Sequence, residues 1–173
     1  MSVDPVAAIV LILVTAERLA ELALARRNTA RLLAQGGVEH GAAHYPLIVA
    51  LHAAWLAGLW WLAIDTPPAL SILALFAIVE AGRAWVLATL GRRWTTRIIV
   101  VPGEQRVRRG PYRFLAHPNY AVVVAEILLL PLAFGLVAYA IAFSVLNGVL
   151  LAIRIPAETA ALDEAVRRPA RPA

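Results

Sequence analysis

The residues best suited to chemistry lie in the C-terminal half of the chain. The segment GPYRFLAHPNY, residues 110–120, sets a Gly-Pro turn ahead of an aromatic and basic stretch. His117-Pro118 then opens an apolar run. Proline suits the first helical turn. The free N–H groups of that turn, with the helix dipole behind them, suit a carboxylate or phosphate. A His-Pro pair alone fits an interfacial hydrogen-bonding histidine equally well. Further on, Asn147, Arg154 and Glu158 fall within about 40° of one another at 100° per residue. Asn119 and Glu126, seven apart, also share a helical face. Two polar stripes on adjacent helices outline a polar pocket open at one end. The plainer alternative makes Arg154 and Glu158 an i,i+4 pair at a membrane surface.

The elements that must position these residues are apolar helices. The 173 residues are 61% hydrophobic and 16% charged, with a mean hydropathy of +0.75. Soluble domains are nearer half apolar and a quarter charged. Apolar blocks run from about Val6 to Ala25, Pro46 to Ile64 and Ala69 to Leu90. Each has about the ~20 residues needed to cross a bilayer core. The stretch Ala121 to Ile155 would be about 52 Å long as one helix, too long for a single span. Pro131 and Gly135 near its middle suit a turn. The pattern predicts two helices, roughly 119–133 and 137–160, paired as a hairpin. The expectation is an all-α polytopic membrane protein of about five spans. Residues 1–90 hold three helices; residues 91–173 hold a basic link, the hairpin and a tail.

Charge predicts the orientation. All 16 basic residues are arginine, and cysteine is absent. Lysine Schiff bases, disulfides and thiolate chemistry are thereby excluded. Arg26, Arg27 and Arg31 follow the first block. Arg92, Arg93, Arg97, Arg106, Arg108, Arg109 and Arg113 follow the third. Arg167, Arg168 and Arg171 lie in the tail. The other connections, Asp65-Thr66-Pro67-Pro68 and the turn near Gly135, carry no basic residue. The N-terminus is therefore expected outside, and both long links and the C-terminus in the cytoplasm. The net charge of +5 is read as this orientation signal, not as a nucleic-acid footprint. Trp60 and Trp61 fit an aromatic belt. The first block opens with Asp4 and no basic flank, unlike a cleaved signal peptide.

Ionisable residues inside apolar blocks point to interiors or cavities. Glu17, Arg18 and Glu21 sit in the first block, Glu80 and Arg83 in the third. Arg18/Glu21 and Glu80/Arg83 are i,i+3 pairs that can neutralise themselves. Glu39, His40 and His44 follow Gly36-Gly37 and are read as loop residues rather than metal ligands. His52 is expected to hydrogen-bond within the bundle or to line a lipid-substrate cavity.

GPYRFLAHPNY, an intervening hydrophobic hairpin and RIPAETAAL at 154–162 together resemble the isoprenylcysteine carboxyl methyltransferase family. The likeness covers roughly residues 90–165. His117, Pro118, Tyr120, Arg154 and Glu158 stand at family motif positions. Ala116 stands where the motif has arginine, Val122 where it has glycine, and Thr159 where it has a second glutamate. Arg113 is a candidate substitute for the missing arginine. The segments ERLAELALARRN at 17–28 and GGVEHGAAHYP at 36–46 are similar to a bacterial subgroup associated with O-methylation of lipid-like polyketides such as alkylpyrones and alkylresorcinols.

The resemblance implies S-adenosylmethionine as methyl donor, held between the last two helices and the basic link. Cofactor-binding residues would be Tyr112, Arg113, His117, Pro118, Asn119 and Tyr120. Arg154, Glu158, Asn147 and Glu126 would serve the transfer. Partners would be a lipophilic small molecule or a prenylated cysteine, together with membrane lipid, and no nucleic acid. A bacterial inner membrane, with the site facing the cytoplasm, is the implied location. Two rivals remain: an NADPH-dependent membrane reductase of sterol-reductase type, and a non-catalytic membrane protein with a decayed motif.

Overall fold

The computed structural model describes residues 3–167. Arg168 and Arg171, read above as part of the basic tail, lie outside them. Five helices carry the fold: α1 (Pro5–Ala34), α2 (Tyr45–Ala63), α3 (Leu70–Leu90), α4 (Pro118–Ala133) and α5 (Val137–Arg167). Local chemistry sets their ends. Asp4 caps α1 by accepting the Ala7 N–H at 2.9 Å, with Pro5 just inside. The expected hairpin turn forms at Gly135, whose φ of +71° suits a residue without a Cβ. The Leu136 and Gly135 N–H groups donate back to the carbonyls of Pro131 and Leu132. This bonding pattern closes a helix and turns the chain at once.

The chain is an integral membrane protein of helical architecture. By length and composition, α2, α3 and α5 are each able to cross a membrane, whereas α4 is apolar but only 16 residues long. The expectation is about five spans; among the described residues three helices meet that requirement unaided. Helix α1 runs on past the predicted Ala25 to Ala34, and its charged residues lower its mean hydropathy. Large apolar side chains cover the outer surface, including Ile12, Leu13, Trp61, Ile78, Trp85 and Val149. In water such a surface would be an aggregation hazard; against lipid it is solvated.

The core joins α1, α2 and α4 through Leu11, Leu59, Ile127 and Leu130, with Phe76 of α3 packed alongside. Trp60, placed above in an aromatic belt, donates its ring N–H to Thr15 at 3.0 Å, while Trp61 faces outward.

A small ribbon departs from the all-α expectation. Strands β1 (Val38–His40) and β2 (Ile98–Val100) pair antiparallel, with Glu39 opposite Ile99. Glycines 36 and 37 had suggested a loop throughout. Pairing with a partner some 60 residues away turns part of it into strand, and no local pattern signals that. Ile98 and Val100 pack on Ala161 and Ala165 of α5, holding the link against the hairpin. Arg97 braces the ribbon, bonding both Glu39 oxygens at 3.0 Å and lying 4.6 Å from the Tyr45 ring centre. Asn28, 2% exposed, donates to the carbonyls of Gly91 and Trp94 and ties α1 to the same link.

Candidate active site

The sequence brings His117, Tyr120, Arg154 and Glu158 together through two crossing helix ends. Pro118 starts α4, so His117 sits at its N-cap without capping it through the side chain. The first-turn N–H groups stay available. Tyr120, one turn in, faces α5. Arg154 donates Nε–H to the Tyr120 hydroxyl at 2.9 Å. The hydroxyl in turn donates to Glu158. Arg154 also donates to the Thr96 carbonyl at 2.5 Å, which anchors it to the link. Arg154 and Glu158 therefore meet through Tyr120 rather than as the i,i+4 pair weighed above. Pro156 between them lacks the N–H that would bond one turn back.

His117 is held by Thr159. The Thr159 hydroxyl donates to the Ile155 carbonyl at 2.8 Å, so its oxygen accepts from His117 Nε2 at 3.1 Å. That places Nδ1 toward Glu158, 3.8 Å away. The ring lies 5.6 Å from that of Tyr120, centre to centre. Threonine at the position of the motif's second glutamate thus orients the histidine.

Two cavities meet here. The first, of about 280 Å³, is lined by Tyr112, Ala116, His117, Glu158 and link residues including Arg93 and Arg108. Tyr112 is half-buried there, and this burial pushes its hydroxyl pKa well above the ordinary value, with the Glu158 carboxylate adding to the effect. The second cavity, of about 270 Å³, has apolar walls from Leu22, Val49, Leu56 and Leu150. Trp94, Thr95, Asn119, Tyr120 and Arg154 line both. Leu19 and Val49, at the edge of the second, are exposed on the apolar outer face.

Most of the expected site residues converge. Asn147 and Arg154 line the second cavity, Arg154 and Glu158 the first, so the polar stripe of α5 spans both. Pro118 is buried as the helix start. Two residues lie elsewhere. Arg113 lines neither cavity; its guanidinium is 5.7 Å from the Phe114 ring centre. Ala116 does line the first cavity, where Arg93, Arg97, Arg106 and Arg108 supply the positive charge. Glu126 accepts two bonds from Arg83, at 2.7 and 2.9 Å, instead of joining Asn119.

That contact belongs to a buried ionic cluster between α1, α3 and α4. Arg83 also pairs with Glu21, and Arg18 approaches Glu21 at 3.2 Å and both Glu80 and Glu126 at 3.4 Å. The Arg18/Glu21 pair forms as spaced. Arg83 instead reaches across helices, because its own-helix partner Glu80 is taken up by Arg18. Val122, at the motif's glycine position, packs with Ala25, Val86 and Trp94. Sequence reasoning gave no role to Trp94, Thr96 or Asn28, since a link residue's carbonyl leaves no side-chain signature.

The profile of the isoprenylcysteine carboxyl methyltransferase (ICMT) family matches residues 72–164, which include α4, most of α5 and every residue of the Tyr120–Arg154–Glu158 bridge. The chain belongs to the isoprenylcysteine carboxyl methyltransferase family. A relative spanning nearly its whole length is the uncharacterized protein YpbQ of Bacillus subtilis (strain 168). It is 40% identical over 161 residues, covering 86% of this chain and 91% of that one. No solved structure matches.

Proposed function

We propose that the protein is an S-adenosylmethionine-dependent membrane methyltransferase acting on an oxygen of a lipophilic acceptor: a carboxylate, an enol or a phenol. The observation that carries this is the junction of a polar cavity and an apolar one at Asn119, Tyr120 and Arg154. Methyl transfer to a lipid needs such a meeting point between a water-soluble donor and a membrane-soluble acceptor.

The first cavity suits the cofactor. Asn119 Oδ1 and Trp94 Nε1 are buried at the junction without partners among the described residues, and a ligand's polar groups would complete them. The open N-terminus of α4, with Arg93 and Arg108 nearby, suits a carboxylate. Tyr112 and Val100 offer a wall for an aromatic base, and Glu158 offers a counter-charge to a sulfonium. When bound, S-adenosylmethionine supplies an electrophilic methyl group. The chain's own task is to orient: Tyr120 and Thr96 fix Arg154, which faces both cavities and holds the acceptor's oxygen or the cofactor's carboxylate. Positioning and exclusion of water are then the main sources of rate.

The second cavity suits a lipophilic acceptor entering sideways past Leu19 and Val49. Prenylated cysteine, long-chain phenols and pyrones share that character. The arginine-rich connections favour a cytoplasmic site in a bacterial inner membrane, with the N-terminus outside. A family match to a methyltransferase does not favour the NADPH reductase.

Incubating the purified protein with methyl-labelled S-adenosylmethionine and a panel of long-chain phenols, pyrones and prenylcysteines tests the reading. Label recovered on an acceptor's oxygen supports it. Absence of label on every acceptor, from folded protein that also fails to bind the cofactor, contradicts it.

A further inference from the structure

His52 lies in α2, opposite the bridge, and lines the apolar cavity together with Asn147 and Arg154. Its Nδ1 is 2.8 Å from the Ile48 carbonyl. A carbonyl only accepts, so Nδ1 carries the hydrogen and, in the neutral ring, the lone pair lies at Nε2. The bonding thus leaves a basic nitrogen on a histidine that lines the cavity. Asn147, 3% exposed, lines the same cavity, and its Nδ2 has no partner among the described residues. A buried amide donor without a partner calls for an acceptor atom on the ligand. A donor and a base on one apolar cavity match a substrate oxygen that bears a proton.

Resting on the methyltransferase reading with a phenol or enol acceptor, we propose that His52 is the general base for the transfer. A carboxylate acceptor is already ionised at neutral pH and has no use for such a base. In the step, the acceptor O–H bond breaks, and its proton passes to Nε2. An electron pair on the oxygen forms the new O–CH3 bond. The pair of the breaking S–CH3 bond stays on the donor's sulfur. The imidazolium then releases its proton to water. The groups facing His52 are Arg18 and Glu21 from α1, Arg83 from α3, Tyr120 from α4 and Arg154 from α5, with Tyr45 on its own helix.

The test is His52→Asn, whose side-chain amide keeps a donor for the Ile48 carbonyl but has no basic nitrogen. Two probes are used: a long-chain alkylphenol, and its nitro-substituted analogue, whose hydroxyl ionises near neutral pH. With the alkylphenol, kcat falls about 100-fold or more in the variant, and its rise with pH shifts to the phenol's own ionisation. With the nitrophenol the loss is no more than about threefold, because no base is then needed. Without cofactor, the phenolate absorbance of the bound nitrophenol appears at lower pH in the wild type than in the variant. Equal losses on both phenols with unchanged phenolate absorbance would make His52 structural and overturn the proposal. Failure of the wild type to take either phenol would leave a base nothing to deprotonate and overturn the proposal. S-adenosylhomocysteine binding, measured on the same samples, separates these outcomes from failure of the methyltransferase reading itself. Wild type that binds it while His52→Asn changes nothing removes only the base.

Discussion

The Tyr120 hydroxyl lies between Arg154 and Glu158, accepting from Arg154 Nε at 2.9 Å and donating to the glutamate. One phenol thereby couples the start of α4 to the second half of α5 and stands where the two cavities join. Tyr120→Phe removes the bridge and keeps the ring. Hydrogen bonds to charged groups contribute about 1.5–3 kcal/mol, so affinity for S-adenosylhomocysteine should fall roughly 10- to 100-fold. Thermal melting of the detergent-solubilised variant should fall as well, because the same bonds hold α4 to α5 in the folded chain. Calorimetry and melting on the same preparation check the pair of outcomes.

Thr159 positions His117, which predicts an effect at a residue that need not touch any ligand. Thr159→Val is close in shape but has no oxygen to accept from Nε2. It should weaken S-adenosylhomocysteine binding about fivefold, the equivalent of one neutral hydrogen bond of about 1 kcal/mol. Thr159→Ser should retain most of the affinity. Equal binding by all three proteins would show that His117 needs no such anchor.

The ionic cluster of Arg83, Glu21 and Glu126 should matter for stability before it matters for turnover. Arg83→Met leaves two carboxylates buried with only Arg18 nearby. Removing one partner of a buried pair costs about 3–5 kcal/mol. The variant's melting temperature should drop markedly, whereas Glu126→Gln, which keeps a polar partner for Arg83, should lose less. The exposed Arg106–Asp163 pair, at 2.7 Å on the surface, is the contrast. Asp163→Asn should shift stability by no more than about 1 kcal/mol.

Burial raises the pKa of Tyr112, and Glu158 adds to it. Below the ordinary tyrosine value of about 10, folded and unfolded chains both hold the proton, and stability does not depend on this group. Above it, the unfolded chain loses the proton first, so unfolding releases protons and stability falls as pH rises. Wild type should lose melting temperature more steeply above about pH 10 than Tyr112→Phe does. Parallel curves would remove Tyr112 from the half-buried wall of the first cavity.

The hairpin was legible in the sequence because its signals are local. Pro118 marks a helix start, Pro131 and Gly135 a tight turn, and the spacing of Asn147, Arg154 and Glu158 a shared face. Glu126 sits at the correct period to join Asn119, yet it turns to Arg83. Periodicity assigns a face but not the neighbour on it, and a buried guanidinium outcompetes a shared stripe. The ribbon was illegible for a related reason. Val38–His40 gain strand geometry only from Ile98–Val100, whose approach depends on Asn28 and Arg154 gripping the link's carbonyls. Helix α1 looked like a short span because its apolar block ends near Ala25, while its helical backbone continues through Arg26 and Arg27 to Ala34.

The central claim is that the Tyr120–Arg154–Glu158 bridge borders a cofactor site. Calorimetric titration of the detergent-purified protein with S-adenosylhomocysteine, with NADPH as the control, tests it most directly. Saturable binding of S-adenosylhomocysteine, weakened by Tyr120→Phe, and no heat from NADPH are expected. Binding of NADPH alone, or of neither ligand by folded protein, would contradict it.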